Sequence, residues 1–169
     1  KGHLDQTLPA RGKLSKVTHH AALPYGEIGA FWETLKAQEG TAARALEFVI
    51  LTAARTGEVI GAPWYEIDLD EKTWTIPVER MKAGREHKVP LSPAAVAVLR
   101  SMLPLRDKEH GDYVFPGGKA GQPLSNMAML SLLRRMERTD LTAHGFRSTF
   151  RDWAAERTSY PREVAEMAL

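Results

Sequence analysis

Residues 42–54 read AARALEFVILTAA. Wound as a helix, this run puts apolar side chains on nearly every side. Such a helix is stable in water only when other elements cover it all round, so it has to run through the centre of the fold. The rest of the chain must then wrap it, and 169 residues suffice for one domain with a sizeable core.

The wrapping elements are legible on both sides. Pro24 opens LPYGEIGAFWETLKAQ, where Tyr25, Ile28, Trp32 and Leu35 recur at helical spacing and Pro suits the first turn. Gly40 ends that helix and Thr41 is positioned to cap the central one. Residues 56–62 add a short helical turn. The period then changes: WYEIDL, TWTIPV and EHKVPL are short runs with β-branched or aromatic residues at period two, separated by DLDEK and MKAGR. They predict a small antiparallel sheet of three strands. Helices resume at Ser92-Pro93, a cap followed by Pro, with Val96, Leu99 and Leu103 as the apolar stripe. PGGKAGQP is a loop. Ser125 is the expected cap of NMAMLSLLRRMER, with Leu130, Leu133 and Met136 facing inward. Residues 142–157 form the next helix, and Pro161 starts a last one, REVAEMAL. The fold class expected is α+β, mainly helical.

Residues 1–20 carry Gly, Pro and Lys without periodicity and read as an interdomain linker, leaving 21–169 as the domain. The chain opens without Met, as an excised piece of a longer protein would. No run of about 18 apolar residues is present, so nothing in the sequence spans a membrane as a helix. Zero cysteines exclude disulfides, thiolate metal sites and cysteine nucleophiles, and fit a cytoplasmic setting. His19 and His20 are adjacent in the linker, where neighbouring side chains point opposite ways, so they make a poor metal site. Net charge is only +2, but its distribution is uneven. From Arg80 to Arg151 there are thirteen Lys and Arg against six Asp and Glu, while acidic residues gather in WYEIDLDEK. A polyanion-binding side would produce that asymmetry. So would a randomly uneven surface.

Three short stretches hold the candidate chemistry. In TAHGFRSTFRDWAAER, His144, Arg147 and Arg151 fall within about 60° of one another on a helix, opposite Phe146, Phe150 and Trp153. This pattern fits a solvated basic face paired locally to Asp152 or Glu156. It also fits a phosphate grip near a helix N-terminus, where free N–H groups favour an anion. In LTAARTGEV, Arg55 directly follows the apolar helix. A guanidinium there needs a partner, and Glu58 three residues on can supply one; capping of the helix-end carbonyls is the other reading. In ERMKAGREHKVPLS, Lys82 sits at the tip between two expected strands, where it serves solubility or reaches toward a leaving oxygen.

In order and spacing, TAARTGEV, MKAGREHKVPLS and HGFRSTF resemble the successive catalytic motifs of the tyrosine recombinases, the phage-type integrases. ALPYGEIGAF and GEVIGAPWYEIDLDEKTWTIP are most similar to integrases of temperate phages and genomic islands. The resemblance runs over residues 21–169 and implies a tyrosine-recombinase catalytic-domain fold. By it, Arg55 and Arg147 bind the non-bridging oxygens of the scissile phosphate, and Glu58 orients Arg55. Lys82 protonates the departing 5′ oxygen and His144 handles the nucleophile's proton. Arg151, Lys88 and Arg85 are candidate DNA contacts. Planar, permanently charged guanidiniums suit the equatorial oxygens on which charge builds, and the chemistry implied uses neither metal nor ATP.

The family's tyrosine nucleophile follows the second arginine by a few tens of residues, after a histidine or tryptophan that closes an L-(A/G)-H pattern. The sequence stops at EMAL, so both are expected beyond residue 169. Tyr160, just before Pro161, reads as a loop tyrosine, and Tyr25, Tyr65 and Tyr113 fall in expected structural elements. The partners implied are double-stranded attachment-site DNA, a homotetramer on that DNA and DNA-bending accessory proteins, in a bacterial, nucleoid-associated setting. A type IB topoisomerase-like enzyme shares the chemistry, and a non-catalytic DNA-binding module would share the basic helix.

Overall fold

The computed structural model describes residues 22–81 and 84–169, so the expected linker, its His19-His20 pair and Lys82 lie outside the described residues. The helices are α1 (Ile28–Lys36), α2 (Thr41–Thr52), α3 (Thr56–Ile60), α4 (Pro93–Met102), α5 (Ala128–Arg135), α6 (Gly145–Arg157) and α7 (Arg162–Met167). Three strands, β1 (Ile67–Asp68), β2 (Thr73–Ile76) and β3 (His87–Pro90), form an antiparallel sheet in that order.

The apolar run does become the axis of the fold. α2 packs against α1, α3, α4, α5 and α6, and Ala43, Ala45, Leu46, Phe48 and Val49 are fully buried. Gly40 stands at its N-terminus with φ 92°, a left-handed turn that costs glycine little. Thr41 is therefore the first helical residue and not the cap. At the other end Ala53 takes φ 51° and ψ 18°, reversing the chain so that Arg55 starts α3.

The sheet is shorter than its sequence pattern. Trp64–Glu66 forms a 3-10 turn, and β1 keeps two residues. Pro77, which lacks an N–H for the ladder, follows the last residue of β2. The register pairs Trp74 with Val89 and Ile67 with Trp74, so β2 is the central strand. Trp74 and Ile76 point from one face into the core, where Trp74 meets Phe48 of α2 at 5.4 Å between ring centroids. The β1–β2 turn closes on Asp68, whose carboxylate accepts the N–H groups of Asp70 and Glu71.

Several expected inward faces are rotated. In α1 the buried residues are Phe31 and Leu35, and Trp32 is only half-buried, because Phe31 stacks on Phe146 of α6 at 5.2 Å. In α5, Met129, Leu132 and Leu133 are buried, whereas Leu130 and Met136 are half-buried. That helix starts at Ala128, after a turn in which the Ala128 N–H reaches the Ser125 carbonyl, so Ser125 is not its cap. Leu103 is 40% exposed, since Pro104 ends α4 and tightens the chain into a 3-10 turn. Ser92 does cap α4, its hydroxyl accepting the Ala95 N–H at 3.2 Å. Ser92→Ala should cost about 1 kcal/mol, measurable as a lower urea midpoint with an unchanged m-value. Ser92→Gly should cost only a few tenths of that unit.

Candidate active site

The reversal at Ala53 sets the site. Arg55 is the residue at the N-terminus of α3, and Glu58 is the third residue inside it. Glu58 does two things at once. One carboxylate oxygen accepts the Arg55 backbone N–H at 2.9 Å and the other accepts the Arg55 guanidinium at 2.8 Å. The carboxylate is buried, with 7% of its side chain exposed, while the arginine is 39% exposed. The guanidinium is therefore fixed from behind and open in front. The Glu58 partner expected for Arg55 is in place, and the same carboxylate caps α3. The alternative, Arg55 capping the carbonyls that end α2, is not what the structure shows, since the Ala53 carbonyl is held by Arg147.

Arg147 lies elsewhere than on a solvated face. It is only 9% exposed, the one buried arginine among the described residues. From α6 its guanidinium donates to the Ala53 carbonyl at 2.5 Å, 94 positions earlier in the chain, and to the Leu169 carbonyl. Burial and the nearby Arg55 guanidinium hold its pKa below the ordinary arginine value; Glu58 and Glu166 oppose them. Arginine keeps its charge through such shifts. Two cations thus converge on the Ala53–Glu58 turn, and Glu58 pairs directly with Arg55. Like charges brought together cost free energy. A third, anionic group placed between them would recover it.

The opposed aromatic face is also only partly correct. Phe146 is buried, Phe150 is half-buried and Trp153 is 42% exposed. α6 is embedded at its start and emerges from the core toward its end, so one face cannot stay dry along its length. His144 immediately precedes α6 and is exposed; its carbonyl accepts the Arg147 N–H at 3.1 Å, one turn on. Arg151 lies 3.8 Å from Glu166 of α7, and Glu156 accepts the Tyr25 hydroxyl at 2.7 Å instead of pairing within its helix. Arg85 and Lys88 are exposed on the β2–β3 hairpin, with Lys88 3.8 Å from Glu86. The structure brings Arg55, Glu58 and Arg147 together and sets His144 one turn from Arg147. Arg151, Arg85 and Lys88 stand outside that cluster's contacts.

Two residues escaped sequence reading. Arg80, just after β2, donates to the Glu66 carboxylate and, at 2.5 Å, to the Glu58 backbone carbonyl. Glu66 is buried and also accepts the Trp74 indole N–H at 2.9 Å. Nothing in their spacing in the sequence announced the pair.

A buried arginine and a capped, half-open one converging beside a three-stranded sheet match a known architecture. The phage integrase family model covers residues 24–168, and the chain belongs to this family of tyrosine recombinases. It is 37% identical over 168 residues to prophage integrase IntZ of Escherichia coli strain K12, covering 98% of this chain and 40% of that one. It is 31% identical to the integrase of Enterobacteria phage P4, over 92% of this chain and 39% of that one. The chain thus spans about two-fifths of the length of these relatives. Among solved structures, XerA recombinase superposes with a TM-score of 0.71 at 18% identity, over 98% of this chain and 60% of that one. A lambda integrase tetramer bound to a Holliday junction gives 0.64 at 16%, over 89% and 46%. The fold is that of a tyrosine-recombinase catalytic domain. Among the described residues no helix is long and apolar enough to cross a membrane.

Proposed function

We propose that this domain performs the strand-cleavage chemistry of a site-specific DNA recombinase, a prophage or genomic-island integrase. The observation that carries the reading is the pair of guanidiniums at the end of α2: Arg55 pinned by Glu58, and Arg147 buried against the Ala53 carbonyl. Attack on a phosphodiester places negative charge on two non-bridging oxygens. Fixed guanidiniums offset that charge without moving, and each such donor is worth roughly 3–4 kcal/mol at comparable oxyanion sites.

In this mechanism a tyrosine oxygen attacks phosphorus, forming a 3′-phosphotyrosine as the P–O5′ bond breaks. His144, exposed at the start of α6, takes the tyrosine's proton. Lys82, assigned from its place in MKAGREHKVPLS, gives a proton to the 5′ oxygen. Bond count and charge balance, so rejoining by the 5′ hydroxyl needs neither ATP nor metal. The nucleophile is assigned beyond residue 169. In support, Tyr160 is 69% exposed in the α6–α7 loop and Tyr25 is engaged with Glu156. Double-stranded DNA is the substrate, with Arg151, Arg85 and Lys88 as backbone contacts. A homotetramer with DNA-bending helpers is the working assembly.

The test uses the full-length recombinase and a nicked suicide duplex carrying its attachment site. A covalent protein–DNA adduct should form. Arg55→Ala should slow its formation by about 10²–10³-fold while leaving a sedimentable, folded protein. Adduct formation indifferent to Arg55 would refute the assignment.

A further inference from the structure

α3 is too short to define its own geometry. An isolated helix needs roughly 12–15 residues before it holds in water, and α3 has five. Yet it presents Arg55 and Glu58, so something outside it must fix its position. We infer that Arg80 is a positioning residue for Arg55, holding α3 in place from the sheet.

The contacts form one path. Trp74 is fully buried in the central strand and packs on Phe48. Its indole N–H and the Arg80 guanidinium share one oxygen of Glu66. The other arm of Arg80 holds the Glu58 carbonyl at 2.5 Å. The Glu58 side chain in turn holds both the backbone N–H and the guanidinium of Arg55. Arg80 fits closely: a Cβ added at Gly61 would come within 3.2 Å of its Nη2 and 3.3 Å of the Gly57 carbonyl. The fork matters, because one group must reach a carboxylate and a carbonyl together. Lysine supplies the charge as a single point without that planar fork.

This inference rests on Arg55 neutralising a non-bridging phosphate oxygen, and the experiment separates the two. Full-length recombinase carrying Arg80→Lys, Arg80→Met, Gly61→Ala or Arg55→Ala is offered two duplexes. One has the natural scissile phosphodiester. The other has a methylphosphonate there, each diastereomer tested separately, which lacks one charged oxygen. On the natural duplex Arg80→Lys should cleave about tenfold slower, a part of the 10²–10³-fold expected for Arg55→Ala. Gly61→Ala should shift in the same direction by less. On one methylphosphonate diastereomer the deficits of Arg80→Lys and Arg55→Ala, each relative to wild type, should shrink together. Should Arg80→Met unfold, Arg80→Lys and Gly61→Ala still decide the matter. If Arg55→Ala is relieved but the Arg80 and Gly61 variants stay equally slow on both duplexes, Arg80 only stabilises the fold and the inference is overturned. Wild-type cleavage of the natural duplex by Arg80→Lys overturns it too. If Arg55→Ala is not relieved on either diastereomer, the phosphate role of Arg55 fails and the inference goes with it.

Discussion

Arg147→Ala in the full-length recombinase should cut the rate of covalent adduct formation by about 10²–10³-fold. Two losses contribute. The direct one, under the proposed mechanism, is a guanidinium aimed where charge develops. The indirect one is the Ala53 carbonyl, which loses its buried donor; an orphaned buried acceptor costs about 1–3 kcal/mol. Arg147→Lys separates them. Its ammonium restores charge but not the planar arrangement that reaches two carbonyls from one group. It should recover most of the thermal stability and little of the cleavage rate. DNA affinity should barely change in either variant, because binding is dominated by many exposed phosphate contacts and falls with salt. Single-turnover cleavage on the suicide duplex, beside a gel shift at two salt concentrations, reads all three quantities. An Arg147→Ala protein that cleaved at near wild-type rate would remove the anion site from this account.

Trp74→Ala should destabilise the domain by about 3–5 kcal/mol. The ring is fully buried and meets Phe48, which in turn meets Phe115 at 5.7 Å. The indole N–H also satisfies Glu66, so truncation leaves a buried carboxylate with one partner fewer. Trp74→Phe keeps much of the packing and loses only the donor, for which about 1–3 kcal/mol is expected. Urea unfolding should give the two midpoints in that order. A Trp74→Phe midpoint equal to wild type would mean that the indole N–H contributes nothing to stability, and one equal to Trp74→Ala would mean that the ring packing contributes nothing.

What sequence could reveal followed from periodicity and proximity. The all-round apolar run identified α2 as the axis because only a central helix can bury every side. Arg55 and Glu58, three apart, were readable as a pair because helical geometry brings such residues together. The three period-two runs gave the sheet its order. Burial of Arg147 was not readable. A helical wheel reports which residues share a face, and says nothing of what packs on that face; Ala53 comes from 94 positions away. The same holds for Arg80 and Glu66, joined across 14 positions by the turn of the sheet. Leu103 and Trp153 continue apolar stripes in the sequence, yet they are 40% and 42% exposed.

The left-handed Ala53 has a further consequence. A residue bearing a Cβ adopts that conformation at a cost of roughly 1–2 kcal/mol, and here a hydrogen bond from α6 opposes the tendency to straighten. Undocking α6 would release the bend, and the straightened segment would carry Arg55 off with it. The two arginines are thus linked through one backbone turn. Under the mechanism proposed above, loosening α6 would therefore disturb both guanidiniums at once.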